Sequence, residues 1–224
     1  MQLCVALDME SRAQNLALLD KLSSFEIWVK VGLRSFIRDG KEFLEQIKAI
    51  NPRFKIFLDL KLYDIPNTMR TAVEECNHLG IDLLTIHASA GVEAMRAVTS
   101  LGGDKPLIFA VTALTSFDDP SFVPVYNAPI QTHAQTLALL AQEGGCDGVV
   151  CSVFESLHIK NTTSLLTLTP GIRLDLQHTQ DQKRVATPRN AKEALADFIV
   201  VGRPIYNDAN PAKIAQQILD EIAQ

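Results

Sequence analysis

The residues best suited to chemistry lie in one short stretch, at the end of an apolar run. From Phe57 to Thr68 the sequence reads Phe-Leu-Asp-Leu-Lys-Leu-Tyr-Asp-Ile-Pro-Asn-Thr, which places Asp59, Lys61 and Asp64 within six positions. Alternate side chains of an extended strand share a face, so Asp59 and Lys61 should point the same way. A salt bridge that closes a strand is the plainer interpretation. Three charges in aliphatic sequence favour a reacting site instead, because charged residues are seldom buried unless they are paired or used.

The residues that follow indicate where this strand ends. Pro66 cannot donate a ladder hydrogen bond, and Asn67 with Thr68 can cap a following helix. Two carboxylates and one ammonium are therefore expected at the carboxyl end of one strand. Between them, Lys61 could serve both as a counter-charge and as an acid.

Eight apolar, β-rich runs alternate with amphipathic helical patterns along the chain. The predicted strands cover residues 3–7, 27–31, 55–60, 83–87, 106–113, 148–153, 165–169 and 198–201. The predicted helices cover residues 12–22, 43–50, 69–79, 92–101, 132–142 and 209–222. Apolar strands separated by helices are typical of a parallel sheet covered by helices.

The spacing of these elements favours a closed barrel. The 224 residues divided among eight strands allow 28 residues per unit, the size of a βα repeat with short loops. We therefore predict an α/β fold in which residues 1–224 form a single (β/α)8 TIM barrel. A doubly wound sheet is the competing architecture, but the first strand leads into Asp8 rather than into a Gly-rich dinucleotide turn.

Composition narrows the class of ligand and partner. A net charge of -5 gives no basic footprint for nucleic acid or for an anionic membrane. The sequence has no apolar stretch of about 18 residues and no signal-peptide pattern at its start, so a cytoplasmic location is expected. The four cysteines and five histidines show no metal-ligand spacing, and we predict neither a disulfide nor a metal site.

Polar residues follow most of the predicted strands, at the end of the barrel where enzymes of this fold have their active sites. They are Asp8, Lys30, Asp59 with Lys61, His87, and residues 112–115, 169–173 and 202–203. Gly171 and Gly202 lie close to arginines after strands seven and eight, the usual place for phosphate in this fold. We therefore predict a phosphorylated ligand. His87 could line the pocket or be structural, and the long connections 115–130 and 174–188 could be lids.

The stretch from Asp59 to Thr68 resembles the active-site motif of the orotidine 5'-phosphate decarboxylase family. Segments in the same order as that family's other motifs are residues 5–8, 29–32, 87–89, 111–116, 169–173, 181–184 and 201–204. The resemblance implies an enzyme that converts orotidine 5'-phosphate to uridine 5'-phosphate, the last step of UMP synthesis, without a cofactor. Leu174 and Ala90 depart from residues common in the family, Pro and Gly respectively.

The same resemblance implies roles for individual residues. It implies Lys61 as proton donor, Asp59 beside the substrate carboxylate, and Lys30 completing the charge network and, with Asp8, holding the ribose. In a homodimer, Asp64 and Thr68 would reach into the neighbouring subunit's site. The residues implied around the base are Thr115 and Pro170, and those around the phosphate are Arg173, Gln182, Gly202 and Arg203.

Two other functions compete with this interpretation. A magnesium-dependent sugar-phosphate decarboxylase or aldolase of the same barrel superfamily shares an Asp-x-Lys-x-x-Asp core, but residues 65–68 and 181–182 favour the decarboxylase of orotidine 5'-phosphate. A non-catalytic barrel that binds nucleotide phosphates would keep the glycine and arginine loops and lose the charges around Lys61, which this chain retains. The sequence does not decide whether Asp59 repels the substrate or positions Lys61.

Overall fold

The computed structural model describes residues 1–174 and 184–223 and contains a closed barrel of eight parallel strands. The strands are β1 Gln2–Ala6, β2 Trp28–Gly32, β3 Lys55–Leu62, β4 Leu83–His87, β5 Leu107–Val111, β6 Gly148–Val150, β7 Leu166–Thr169 and β8 Phe198–Val201. Each strand pairs with the next along the chain, and β8 pairs with β1. The predicted (β/α)8 barrel is thereby confirmed. The competing doubly wound sheet is excluded, because the eight described strands close into a barrel without an open edge.

Helices connect the strands on the outside of the barrel. They are α1 Arg12–Lys21, α2 Leu33–Ile50, α3 Pro66–Asn77, α4 Gly91–Thr99, α5 Asp119–Tyr126, α6 Ile130–Glu143, α7 Val153–Thr162, α8 Pro188–Glu193, α9 Arg203–Tyr206 and α10 Pro211–Ala223. The six predicted helices are present. Helices α5, α7, α8 and α9 were not predicted. Helix α2 begins ten residues before its predicted start, which lay beyond the non-helical Gly40.

Two of the predicted boundaries were wrong in ways that affect the site. Strand β3 continues to Leu62, two residues further than predicted, and so carries Lys61 within the sheet. The predicted loop 115–130 contains α5, whose first turn is capped by Asp118 accepting a hydrogen bond from the Ser121 backbone N–H. The predicted lid at 174–188 lies largely outside the described residues.

Strand alternation divides the apolar residues between two cores. The interior of the barrel is filled by Cys4, Ala6, Phe57, Leu83, Phe109, Val111, Val150, Leu168, Phe198 and Val200. A larger core lies between the barrel and its helices. A Cβ at Gly148 would lie 2.5 Å from the ring of Phe109, so this glycine leaves the space that the ring fills. Within the described residues, no helix combines the length and apolar character needed to cross a membrane.

Candidate active site

Four charged side chains converge at the carboxyl ends of β1, β2 and β3. The Lys61 Nζ lies 2.8 Å from Asp59 Oδ1. The Lys30 Nζ lies 3.6 Å from Asp59 Oδ2 and 3.2 Å from Asp8 Oδ1. The side chains thus alternate in charge, in the order Asp8, Lys30, Asp59 and Lys61, which we call the charge array.

The strand register explains why these residues meet. Ala6 is paired with Lys30, and Gly32 is paired with Asp59, so inward-facing positions of neighbouring strands lie at similar heights in the barrel. Deeper in the barrel, the inward-facing positions hold apolar residues. At the carboxyl end of the barrel, the inward-facing positions hold the charged residues. A buried apolar floor therefore lies beneath the charge array.

The charges of the array stabilise one another against the cost of burial. Asp59 is 8% exposed, and burial alone would raise the pKa of its carboxyl. Lys30, Lys61 and the hydroxyl of Thr85 outweigh that effect, and the pKa of Asp59 lies below its ordinary value. Burial would likewise lower the pKa of Lys30, but Asp59 and Asp8 outweigh it and the pKa is raised. Both groups are therefore charged at neutral pH.

A β-bulge sets the direction of the Lys61 side chain. The register between β3 and β4 shifts between Leu58 and Leu62, and Lys61 has a φ of 51°, which is uncommon for a residue other than glycine. Thr85 Oγ1 accepts a hydrogen bond from the Lys61 backbone N–H at 3.0 Å and donates one to Asp59 Oδ1 at 2.9 Å. Strand alternation alone predicted the shared face of Asp59 and Lys61 but not the bulge.

Thr85 was not among the predicted site residues, although the sequence carries a signal for it. It is fully buried, with 0% exposure, and it interrupts the apolar strand β4 in phase with His87. A polar residue at an inward position of a barrel strand needs a hydrogen-bond partner. That requirement could have placed Thr85 beside Asp59.

A cavity of about 260 Å³ opens over the charge array. Nine of the predicted site residues line it, namely Asp8, Lys30, Asp59, Lys61, Thr115, Pro170, Arg173, Gly202 and Arg203. Its apolar walls include Phe57, Val111 and Leu168. Ser116 and Tyr206 also line the cavity and had no predicted role. The cavity therefore has a charged side, an apolar side and a side with two arginines.

The turn after β7 supplies one of these arginines. Arg173 is 7% exposed, and its Nη1 donates a hydrogen bond to the Ile172 carbonyl at 2.9 Å. Gly171 has a φ of 83°, a conformation that favours glycine. Gly202 and Arg203 follow β8 on the same side of the cavity. The remaining residue predicted for the phosphate, Gln182, lies outside the described residues.

Asp64 and Thr68 do not join the charge array within one chain. Both are exposed, and Asp64 Oδ1 accepts a hydrogen bond from the Ile65 N–H at 2.7 Å. Among the described residues, Lys61 forms an ion pair with Asp59 alone. The sequence spacing had suggested that Asp64 lies beside Lys61 of its own chain. The structure does not place it there.

His87 makes structural contacts and is not among the residues that line the cavity. Its ring stacks on that of Tyr63, with the ring centroids 5.6 Å apart, and its Nδ1 accepts a hydrogen bond from the Ser89 N–H. Burial and the nearby charge of Lys61 lower the pKa of His87. Across residues 1–174 and 184–223, His, Cys, Asp and Glu form no group of three that could hold a metal ion.

Comparisons with known proteins agree over the whole length. A family model described as "Orotidine 5'-phosphate decarboxylase / HUMPS family" matches residues 1–218. The orotidine 5'-phosphate decarboxylase of a Nitratiruptor species is 56% identical over 99% of this chain and 100% of the relative, and that of Wolinella succinogenes is 54% identical over 100% of both. The crystal structure of orotidine 5'-phosphate decarboxylase from Lactobacillus acidophilus matches with a TM-score of 0.84 and 32% identity, covering 100% of this chain and 99% of that one.

Proposed function

The chain belongs to the orotidine 5'-phosphate decarboxylase / HUMPS family, and we propose that in its reaction, the decarboxylation of orotidine 5'-phosphate to uridine 5'-phosphate and CO2, Lys61 is the proton donor. The enzyme is a carboxy-lyase of pyrimidine synthesis. The observation that carries the proposed mechanism is the alternation of Asp8, Lys30, Asp59 and Lys61 at the edge of the cavity.

The chemistry requires a positive charge beside the reacting carbon. When the bond from C6 of the pyrimidine to the carboxylate breaks, its electron pair stays on C6 as a carbanion in the plane of the ring. The Lys61 ammonium stabilises that charge and then donates a proton to C6, which forms the C–H bond of the product and leaves a neutral amine that solvent reprotonates. Lys30 and the bulged backbone hold Asp59 and Lys61 in fixed positions, so little reorganisation is needed.

One ammonium cannot supply the whole reduction of the barrier. Two unit charges about 4 Å apart at an effective dielectric of 20 interact by about 4 kcal/mol, whereas enzymes lower barriers by about 8–23 kcal/mol. Binding of the rest of the substrate must contribute. We assign Asp8 and Lys30 to the ribose, Thr115 and Pro170 to the base, and Arg173, Gln182, Gly202 and Arg203 to the phosphate, whose binding energy would then be expressed in the transition state.

The exposed segment after β3 supports a shared site in a homodimer. Tyr63 and Ile65, which flank Asp64, are 64% and 66% exposed, and large exposed apolar side chains are common at subunit interfaces. We propose that Asp64 and Thr68 complete the neighbouring subunit's site, where Asp64 would lie beside Lys61. Residues 1–224 would act as one catalytic domain, and a cytoplasmic location stays a prediction.

The first experiment follows the ultraviolet absorbance of orotidine 5'-phosphate mixed with chelator-treated protein. We expect the parent protein to convert the substrate and the Lys61→Ala variant to lose about four orders of magnitude in kcat, because both a charge and a proton donor are removed. Lys55→Ala is the matched control, since Lys55 lies on the same strand, 56% exposed, and pairs with Asp82 away from the cavity.

Each outcome of that experiment discriminates between mechanisms. Equal activity of Lys61→Ala and the parent would overturn the role of Lys61. Loss of activity on chelation, restored by Mg²⁺, would favour the magnesium-dependent alternative. Activity that survives chelation and depends on Lys61 but not on Lys55 supports the mechanism proposed.

A further inference from the structure

A second buried ion pair lies at the rim of the barrel and takes no part in the proposed chemistry. Arg184 forms an ion pair through Nη2 with Glu155 Oε1, and the same nitrogen donates a hydrogen bond to Ser152 Oγ at 2.6 Å. Glu155 and Ser152 are 3% and 1% exposed, and the Arg184 side chain is 12% exposed. Its guanidinium also lies 5.9 Å from the centroid of the Phe154 ring. We call Ser152, Glu155 and Arg184 the rim brace.

The acidic end of the rim brace is rigidly held. Ser152 follows β6 and is the N-cap of α7, and Glu155 lies in the first turn of that helix. Glu155 Oε2 accepts hydrogen bonds from the Ser152 backbone N–H at 3.0 Å and from Ser152 Oγ at 2.7 Å. The first of these contacts is one half of the capping box of α7, in which the Ser152 side chain also accepts from the backbone N–H of Glu155. The carboxylate therefore has a fixed position before it pairs with Arg184.

The basic end of the rim brace begins a segment that holds the turn after β7. Two residues beyond Arg184, Ala186 forms an isolated parallel bridge with Ile172. The Ala186 carbonyl accepts a hydrogen bond from the Arg173 N–H at 2.9 Å, and the Ala186 N–H donates one to the Gly171 carbonyl at 3.2 Å. Gly171 and Arg173 both line the cavity, whereas none of the rim-brace residues does so.

We propose that the rim brace is a positioning device for the phosphate side of the active site, acting on Gly171 and Arg173 through the backbone of Ala186. This inference rests on the proposed function, in which that side of the cavity receives the substrate phosphate. Arg184 is thus a positioning residue, since it reaches the ligand only through Ala186 and the turn after β7. A phosphate held by a backbone turn and a buried guanidinium is sensitive to displacements of less than 1 Å.

Stability alone gives a weak reason for such a pair. Burying two charges costs desolvation free energy, and a buried ion pair can often be replaced by apolar residues without loss of stability. A fully satisfied buried polar contact can instead fix the relative position of the segments that it joins. The rim brace joins the loop after β6 to the segment that follows β7, and both meet at the rim of the site.

The test compares a ligand that carries the phosphate with one that lacks it. Dissociation constants of uridine 5'-phosphate and of uridine are measured by calorimetric titration of the full chain, its Arg184→Met variant and its Glu155→Gln variant. Met keeps an unbranched chain without the charge, and Gln can still accept the capping hydrogen bonds of Ser152. Circular dichroism and thermal unfolding establish that each variant is folded.

We expect both variants to bind uridine 5'-phosphate about tenfold more weakly, which is about 1.4 kcal/mol, and to bind uridine within about twofold of the parent. A general loosening of the barrel would weaken the binding of both ligands equally. The ratio of the two dissociation constants therefore reports the contribution of the phosphate contacts alone. Arg189→Met is the matched control, because Arg189 is 79% exposed and pairs with Glu193 on the surface of α8. That variant should change neither constant.

Two results would overturn the inference. One is a folded Arg184→Met or Glu155→Gln protein that binds uridine 5'-phosphate as tightly as the parent does. The other is an equal loss of affinity for uridine 5'-phosphate and for uridine. Failure of the parent to decarboxylate orotidine 5'-phosphate would contradict the proposed function separately, because the titrations measure the phosphate contribution without turnover.

Discussion

At the scale of single residues, one hydroxyl group ties the two central members of the charge array together. Thr85 Oγ1 donates a hydrogen bond to the Asp59 carboxylate and accepts one from the Lys61 backbone N–H, so it fixes both Asp59 and the backbone that carries Lys61. Thr85 is fully buried and Asp59 is 8% exposed, so loss of this hydrogen bond would leave polar groups poorly satisfied. Thr85 therefore belongs to the site although it does not line the cavity.

Replacement of Thr85 by valine tests this role. The shape of the side chain is nearly kept, but Asp59 loses a donor and the Lys61 N–H loses its acceptor. We expect a loss of unfolding free energy of about 1–3 kcal/mol together with a fall in kcat of about tenfold or more, because Lys61 is released from its position. Chemical denaturation and steady-state turnover of orotidine 5'-phosphate measure the two effects.

Thr167→Val provides the matched control for that prediction. Thr167 is also 0% exposed, and its Oγ1 lies 2.9 Å from Ser156 Oγ, away from the cavity. Its loss should lower stability by a similar amount and leave kcat unchanged. If Thr85→Val lowered stability alone, as the control does, the hydroxyl would have a structural role without influence on Lys61.

At the scale of strands and helices, the sequence predicted the order of the elements better than their local geometry. Apolar runs predicted all eight strands, because buried parallel strands are continuously apolar. The bulge in β3 was not predictable, since it arises from pairing with β4 and places Lys61 at a positive φ that lysine does not itself favour. Most of the residues that line the cavity could be predicted from the strand ends. Thr85 and the rim brace could not, because Thr85 depends on contacts between β3 and β4, and the rim brace on contacts between the start of α7 and the segment after β7.

The missed helices also have physical causes. Helix α9 covers four residues, and helix α8 covers six, too short for a periodic apolar pattern. Helix α5 begins with Pro at its first turn and contains Pro124, so its composition is typical of a loop. Helix α7 exposes Phe154 and Leu157, which blurs the division between an apolar and a polar face.

The end of β2 supports a prediction at this scale. A Cβ at Gly32 would lie 2.9 Å from Lys30 Nζ and 3.3 Å from Asp8 Oδ1, whereas the backbone φ of −88° is open to any residue. Gly32→Ala should therefore leave the fold intact and displace the Lys30 ammonium. We expect kcat/KM to fall by about tenfold or more with a change in unfolding free energy below about 1 kcal/mol.

Substitutions at two further glycines serve as controls for that prediction. Gly148→Ala should destabilise the barrel, since its Cβ would lie 2.6 Å from the Leu166 carbonyl oxygen, whereas a Cβ at Gly102 would meet nothing within 4 Å. Gly102→Ala should change neither kcat/KM nor the unfolding free energy. Wild-type kcat/KM in Gly32→Ala would contradict the proposed catalytic role of Lys30.

At the scale of the whole molecule, the charge array of a single chain lies apart from Asp64, the residue proposed to act beside Lys61. Asp64 lies on an exposed segment beside the exposed apolar side chains of Tyr63 and Ile65. The stack of Tyr63 on His87 gives that segment a defined position at the rim of the barrel. A twofold dimer makes the contact reciprocal, so each chain would both give and receive an Asp64.

Complementation between two inactive variants tests the shared site. Lys61→Ala chains lack the proposed proton donor but keep Asp64, and Asp64→Ala chains keep Lys61 but lack Asp64. If Asp64 acts across the interface, each mixed dimer holds one intact site. Random exchange of subunits in an equal mixture should then restore about one quarter of the parent activity per chain, because half of the dimers are mixed and each has one working site of two.

The outcome depends only on which chain supplies Asp64. If Asp64 served its own Lys61, every site in a mixed dimer would lack one of the two groups, and the mixture would stay as inactive as its components. Differently tagged chains, purified as mixed dimers before the assay, make subunit exchange certain. Activity near half that of the parent in those dimers would support the shared site, and inactivity would show that Asp64 does not act across the interface.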